Sequence, residues 1–241
     1  LLLLNLTSFV KNPFEKNAKF DYELFNECTQ KSQRLMDDLI DLEIECVDRI
    51  IQKIQKDPES LDTKCVELDL WGKIKKAALD GRRTGLGVTG LGDTLAMLGL
   101  KYGSKQSIVK TECIYRELAI ASYKSSCILA NERGAFPVYD YKKEVGHPFI
   151  ERLFDYSPEL RHLHKEYGRR NIALTTTAPC GSVSVLTQTT SGIEPPFMLK
   201  YTRRKKVNPN DPDAQIDFVD DLGDKWQEFD VYHHGYKKWM N

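Results

Sequence analysis

Apolar residues recur at three-and-four spacing through residues 21–57: Leu24, Phe25, Cys28, Leu35, Met36, Leu39 and Ile40, then Ile44, Val47, Ile50, Ile51 and Ile54. That period gathers them on one stripe of a long amphipathic helix. Asp21 offers an N-cap oxygen, and Pro58 stops the helix just beyond its end. A run of this length is expected to bend or break near Asp41, where acidic residues concentrate. A second helix is predicted over 62–79, with Trp71, Ile74 and Ala78 turned to the core. Ser104 caps a third, over 105–131, which stops near Gly134, a good C-cap residue. Residues 139–168 hold prolines, aromatics and short helical pieces around Pro148 and Pro158, and read as a surface connection.

The strand signals lie between these helices. Residues 1–4, all Leu, read as a buried strand, with a loop to Pro13 after it. Residues 172–178 are rich in Thr and β-branched side chains and read as another. Pro179 ends it, having no N–H to give a central sheet. Residues 197–207 alternate as a strand, 207–213 read as a loop, and 217–219 and 228–231 are expected to pair around Leu222, Gly223 and Asp224.

Two stretches carry candidate chemistry. Gly85, Gly87 and Gly90 fit the spacing of a dinucleotide fingerprint. A true fingerprint follows a hydrophobic strand, whereas here a basic, helix-like segment precedes the glycines. Close packing of a strand and a helix is the better explanation. In the second stretch, strand 172–178 runs into Cys180-Gly181-Ser182 and then into a helix start at Val183. Strand, small-residue turn and helix start can expose unpaired N–H groups to an anion. Ser182 would cap that helix or give its hydroxyl to a phosphate oxygen. The plainer reading is an ordinary connection satisfied by Ser182 and water.

Composition removes several function classes. Lys plus Arg and Asp plus Glu both number 35 in 241 residues. With no net basic field, nucleic-acid binding is not indicated. The basic clusters are local, at Arg169-Arg170 and at residues 203–206. No apolar run is long enough for a membrane span. The leucines at the start lack the basic flank and cleavage site of a signal peptide. Six cysteines without a C-x-x-C pair read as reduced thiols of a cytoplasmic protein. The five histidines show no metal-ligand spacing. Asp37, Asp38, Asp41, Glu43 and Glu45 form an acidic face without the histidines of a di-iron site, and read as solvated.

Several segments together resemble one family. A-P-C-G-S-V-S (178–184), S-G-I-E-P-P-F (191–197) and Y-T-R-R (201–204) closely resemble the large catalytic chain of ribonucleotide reductases, most of all its adenosylcobalamin-dependent branch. R-R-T-G-L-G-V-T-G (82–90), E-R-G-A-F-P (132–137) and the leucine-rich start resemble the same family, in the same order. The resemblance implies an α/β fold, the C-terminal half of a ten-stranded α/β barrel, with residues 1–241 a single domain truncated at both ends. It implies reduction of ribonucleotides to deoxyribonucleotides. A radical is passed to a loop cysteine, which abstracts the ribose 3′-hydrogen, and a cysteine pair supplies the electrons. Both that cysteine and its glutamate partner are expected upstream of Leu1, so no catalytic residue is assigned here.

The residues carried over as the substrate-phosphate loop are Ala178, Pro179, Cys180, Gly181, Ser182 and Val183. Cys180 departs from the family's usual Thr. Glu194 reads as a structural partner for backbone or arginine. The resemblance further implies a ribonucleoside di- or triphosphate substrate and adenosylcobalamin as cofactor, with a di-iron radical subunit as the alternative. It implies dNTP and ATP effectors on other regions, a thioredoxin or glutaredoxin reductant, and a homodimer at full length. Two other readings stay open: a natively short module that assembles with a separate chain carrying the radical cysteine, and a different phosphate-binding α/β enzyme.

Overall fold

A computed structural model describes residues 1–208 and 215–240. The expected loop at 207–213 therefore falls mostly outside the described residues. Strand β1 (Leu2–Asn5) leads through a short 3-10 turn (Leu6–Phe9) to the small antiparallel pair β2 (Val10–Lys11) and β3 (Lys19–Phe20). Helix α1 (Tyr22–Lys56) runs unbroken past Asp41, capped by the Asp21 carboxylate on the Leu24 N–H. Helix α2 (Leu61–Gly81) precedes strand β4 (Leu86–Thr89), helix α3 (Leu91–Met97) and helix α4 (Lys105–Arg133). Ser104 caps α4, and Gly134 closes it at φ 86°, which glycine adopts without strain.

Strand β1 pairs parallel with β4, Leu2 opposite Leu86 and Asn5 opposite Thr89. Beyond β4 the predicted strand 172–178 lies alongside as extended chain joined by a single bridge, Leu86 to Thr175. Leu86 N–H donates to the Leu174 carbonyl at 2.7 Å, and Thr176 N–H to the Leu86 carbonyl at 2.9 Å. Its outer side is open, so Thr175 and Thr177 are exposed while Leu174 is buried. Among the described residues these parallel strands form an open arc that does not close into a barrel. A Cβ on Gly87 would stand 2.7 Å from the Thr176 carbonyl oxygen, and one on Gly85 2.5 Å from a Leu1 methyl. Gly87 therefore allows two backbones to approach and Gly85 leaves room for the Leu1 side chain, and the segment before them is helix α2, not a strand.

Two apolar clusters form the core. Leu4, Leu6, Phe9, Phe25, Leu86, Leu95 and Leu118 centre on the parallel strands. Tyr123, Cys127, Ile150, Phe154, Leu160 and Leu174 form the second. It is built largely by helices α6 (Pro148–Tyr156) and α7 (Pro158–Tyr167), which follow the short α5 (Tyr141–Glu144). Residues 139–168 are thus more than a surface connection: each proline starts a helix whose apolar face packs on α4. Helix α1 buries Phe25, Met36, Ile40, Val47 and Ile54, but Leu24, Leu35 and Leu39 of the predicted stripe are exposed. Helix α2 buries only Gly81, so Trp71, Ile74 and Ala78 are not core residues. After α8 (Gly181–Thr187), the strands β5 (Lys200–Lys206), β6 (Phe218–Val219) and β7 (Lys225–Tyr232) form an antiparallel sheet, followed by α9 (His234–Met240).

The acidic and basic clusters meet inside the protein. Asp37 of α1 is fully buried, which corrects the solvated reading for that residue. Its Oδ1 accepts from Arg82 Nε and Asn171 Nδ2, both at 2.8 Å. Its Oδ2 faces Arg133 at 3.1 Å and Arg170 at 3.3 Å. Asn171 also accepts from Gln33 and Ser126, so the network ties α1, α4, the β4 entrance and segment 170–171 together. Burial raises the Asp37 carboxyl, but Arg82 and its other donors hold it below the ordinary value. Arg169 is likewise buried, paired with Glu144 of α5, which also accepts from His164 Nε2 at 2.8 Å. Strand β5 is exposed, yet Arg204 pairs with Glu228 and Lys200 with Asp230 across the sheet.

Removing one partner of a buried ion pair strands the other charge. Asp37→Ala is expected to destabilise the fold by about 3–5 kcal/mol in denaturant melts, against under about 1 kcal/mol for the half-exposed Asp38→Ala. Burial raises the Glu144 carboxyl, but hydrogen bonds from His164 and Arg169 outweigh it and lower it from 4.5 to about 2. Its stabilisation is therefore present above pH 4.5 and lost as pH falls towards 2. The expected loss is on the order of 2–3 kcal/mol. Glu144→Gln should flatten the pH dependence of unfolding in that window.

Candidate functional site

The site predicted at 178–183 lies where the open parallel strands end. Held along β4 as far as Thr176, the chain leaves the sheet at Pro179 and enters α8 at Gly181. Cys180 is the N-cap position, but no side chain caps the helix. Ser182 is the second residue of α8 and exposed, so it does not act as the cap. The first helical bond runs from Ser184 N–H to the Cys180 carbonyl at 2.9 Å. By helix geometry the N–H groups of Gly181, Ser182 and Val183 therefore have no intrahelical acceptor. All three residues are exposed, and a Cβ on Gly181 would meet nothing within 4 Å.

The other predicted residues contribute differently. Pro179 carries no N–H. Cys180 N–H is spent on the Ser191 carbonyl at 2.9 Å, and its thiol donates to the Ala178 carbonyl at 3.2 Å. An anion above α8 would thus meet three consecutive backbone donors, with Ala178, Pro179 and Cys180 shaping the approach. This is the donor set suited to a phosphate oxygen.

The return from α8 runs across the corner between β4 and α3. Gly90 N–H donates to the Thr190 carbonyl at 3.1 Å and Leu91 N–H to the Gly192 carbonyl at 3.3 Å. Asp93, at the first turn of α3, accepts the Thr190 N–H on Oδ2 at 2.9 Å, and His233 Nε2 lies 3.4 Å from its Oδ1. Burial pushes the Asp93 carboxyl above its ordinary value, against the pull of the Thr190 hydrogen bond and of His233. The sequence reading did not single out Asp93. The available signal was an acidic residue in an otherwise apolar, glycine-rich run, G-L-G-D-T-L.

Glu194 differs from its expectation. It is exposed, with no arginine paired to its carboxylate among the described residues, and it folds back so that a Cβ on Gly192 would lie 2.5 Å from its Oε2. Beside the corner, a pocket of about 470 Å³ is lined by Phe14, Asp93, Tyr102, Pro195, Tyr236 and Trp239. Among the described residues no group of three or more His, Cys, Asp or Glu side chains could hold a metal ion. No described helix is long and apolar enough to cross a membrane.

Comparison with known proteins bears on the whole chain. Residues 1–228 match the family described as ribonucleotide reductase, barrel domain. A vitamin B12-dependent ribonucleoside-diphosphate reductase of Mycobacterium tuberculosis (strain ATCC 25618 / H37Rv) is 35% identical over 131 residues, 54% of this chain and 16% of that protein. One of the same name from Thermoplasma acidophilum is 29% identical over 200 residues, 83% of this chain and 20% of that protein. A ribonucleoside-diphosphate reductase subunit alpha of Helicobacter pylori (strain J99 / ATCC 700824) is 30% identical over 145 residues, 54% of this chain and 18% of that protein. The matched stretch thus spans 16–20% of the length of these relatives. A family match over nearly the full length, on an open arc of parallel strands, leads to one conclusion: the chain belongs to the ribonucleotide reductase barrel domain family.

Proposed function

We propose that this chain is the C-terminal half of a ten-stranded reductase barrel, a single domain truncated at both ends, and that it serves the reduction of ribonucleotides to deoxyribonucleotides. The observation that carries the site assignment is the uncapped start of α8, which follows the segment hydrogen-bonded alongside β4. Gly181, Ser182 and Val183 would donate their N–H groups to the substrate's terminal phosphate. Ala178, Pro179 and Cys180 would set the height of the loop. Fixing the phosphate fixes the ribose relative to the radical cysteine, which other polypeptide would supply. Misplacement by about an ångström can lower the rate roughly a hundredfold. The relatives' names favour a ribonucleoside diphosphate as substrate.

Two relatives are named for vitamin B12, which favours adenosylcobalamin over a di-iron radical subunit as the source of the radical. The described residues do not form a site for adenosylcobalamin, and a di-iron centre would lie on a separate subunit. They offer no metal cluster, and the pocket beside α3, at about 470 Å³, suits a drug-sized molecule rather than a corrin with its nucleotide tail. A thioredoxin-type reductant, dNTP and ATP effectors, a homodimer and a cytoplasmic setting belong to the same proposal for the whole enzyme. The assembling-module reading draws on a separate observation, the apolar residues left bare: Val185, Leu186 and Phe197 are 79%, 85% and 99% exposed. A stable monomer of this chain alone in analytical ultracentrifugation would count against it.

Ser182→Pro removes one of the three donors and disfavours the helical conformation of Gly181 before it. It is expected to weaken ribonucleoside-diphosphate binding by about tenfold or more in the full-length protein, measured by calorimetry. Unchanged affinity would refute the cradle. Cys180→Thr should keep or tighten binding, because the backbone donors are untouched; a large loss of turnover would instead give the Cys180 thiol a role of its own.

A further inference from the structure

Helix α8 has little packing of its own to hold it. It is seven residues long, lacks a side-chain cap and buries none of its residues. Its orientation must therefore come from its ends, and the Cys180 end is held by one bond, from Cys180 N–H to the Ser191 carbonyl. Ser191 in turn sits between two anchored residues. On one side, both backbone groups of Thr190 are taken. Its N–H goes to Asp93 Oδ2 at 2.9 Å, and its carbonyl accepts from Thr89 Oγ1 at 2.6 Å and from Gly90 N–H at 3.1 Å. On the other side, the Gly192 carbonyl accepts from Leu91 N–H. Farther along, a Cβ on Gly92 would stand 2.6 Å from Pro195 Cα, so α3 presses directly on the same segment. The Asp93 side chain is only 6% exposed, so water competes poorly for its bond to Thr190.

We infer that Asp93 is a positioning residue for the substrate's phosphate: by holding Thr190 it fixes Ser191, and through Ser191 the Cys180 backbone and the donors of Gly181, Ser182 and Val183. This rests on the phosphate reading of α8. Asp93 itself touches no substrate. It acts across a relay of backbone groups, from the first turn of one helix to the first turn of another.

The test compares two ligands in the full-length protein, a ribonucleoside diphosphate and the same ribonucleoside without phosphate. The ratio of their affinities, measured by calorimetry, isolates what the phosphate contributes. Asp93→Ala is expected to lower that ratio about tenfold while the nucleoside affinity stays unchanged. Asp93→Asn retains an acceptor oxygen and should restore most of the ratio. Should the alanine variant fail to fold, Thr89→Val removes the hydroxyl's bond to Thr190 and its 3.5 Å contact with Thr189 Oγ1, and is expected to lower the ratio about threefold. A folded variant that keeps the wild-type ratio, or loses affinity equally for both ligands, overturns the inference and leaves the cradle standing. A wild-type protein that binds both ligands equally overturns both.

Discussion

The structure depends on one buried charge. Asp37 lies inside α1 with no access to water, and it is tolerable there only because Arg82, Arg133, Arg170 and Asn171 surround it. These partners come from α4, from the residues entering β4 and from those entering the 172–176 segment. An unpaired carboxylate would be too costly to bury, so the elements must arrive together. Arg82 illustrates the constraint. It holds a left-handed backbone conformation at φ 44° as the C-cap of α2, and it sends its guanidinium to both Asp37 and Asp41.

That network sets the level at which the 172–176 segment meets β4, and with it the place where the chain leaves the sheet. Asn171 lies at the centre of the network, and Ala173, Leu174 and Thr176 bond to β4 and its entrance immediately afterwards. Gly87 lets the two backbones approach more closely than any side chain would allow. Four residues beyond Thr175, Pro179 and Cys180 turn the chain into α8. Placement of the candidate phosphate donors is thus inherited from packing some distance away, not from the loop's own residues.

Exposed apolar surface is concentrated beyond that point. Val185, Leu186, Phe197 and Met198 are exposed, and the 172–176 segment keeps an open edge. An open sheet edge and bare apolar residues are surfaces suited to packing against another polypeptide. In the relatives the matched stretch is a fifth of the length or less.

Much of the local structure was legible in the residues. Asp21 and Ser104 begin α1 and α4 as their capping chemistry dictates, and Gly134 ends α4. Asp220 to Asp224 make the turn between β6 and β7. The glycines of 85–90 were readable as packing devices because no strand preceded them. These signals are local: a cap or a turn is satisfied within a few residues, so neighbouring sequence is enough. The fates of the charged residues were not local. Asp37 and Asp38 are adjacent and chemically identical, yet one is buried and the other half-exposed, because Asp37 is enclosed by Arg82, Arg133 and Arg170 from distant parts of the chain whereas Asp38 meets Arg133 alone. Asp93 and Thr190 meet across 97 residues. Periodicity cannot foresee such pairs; only the closed tertiary structure brings a carboxylate to the one N–H that needs it.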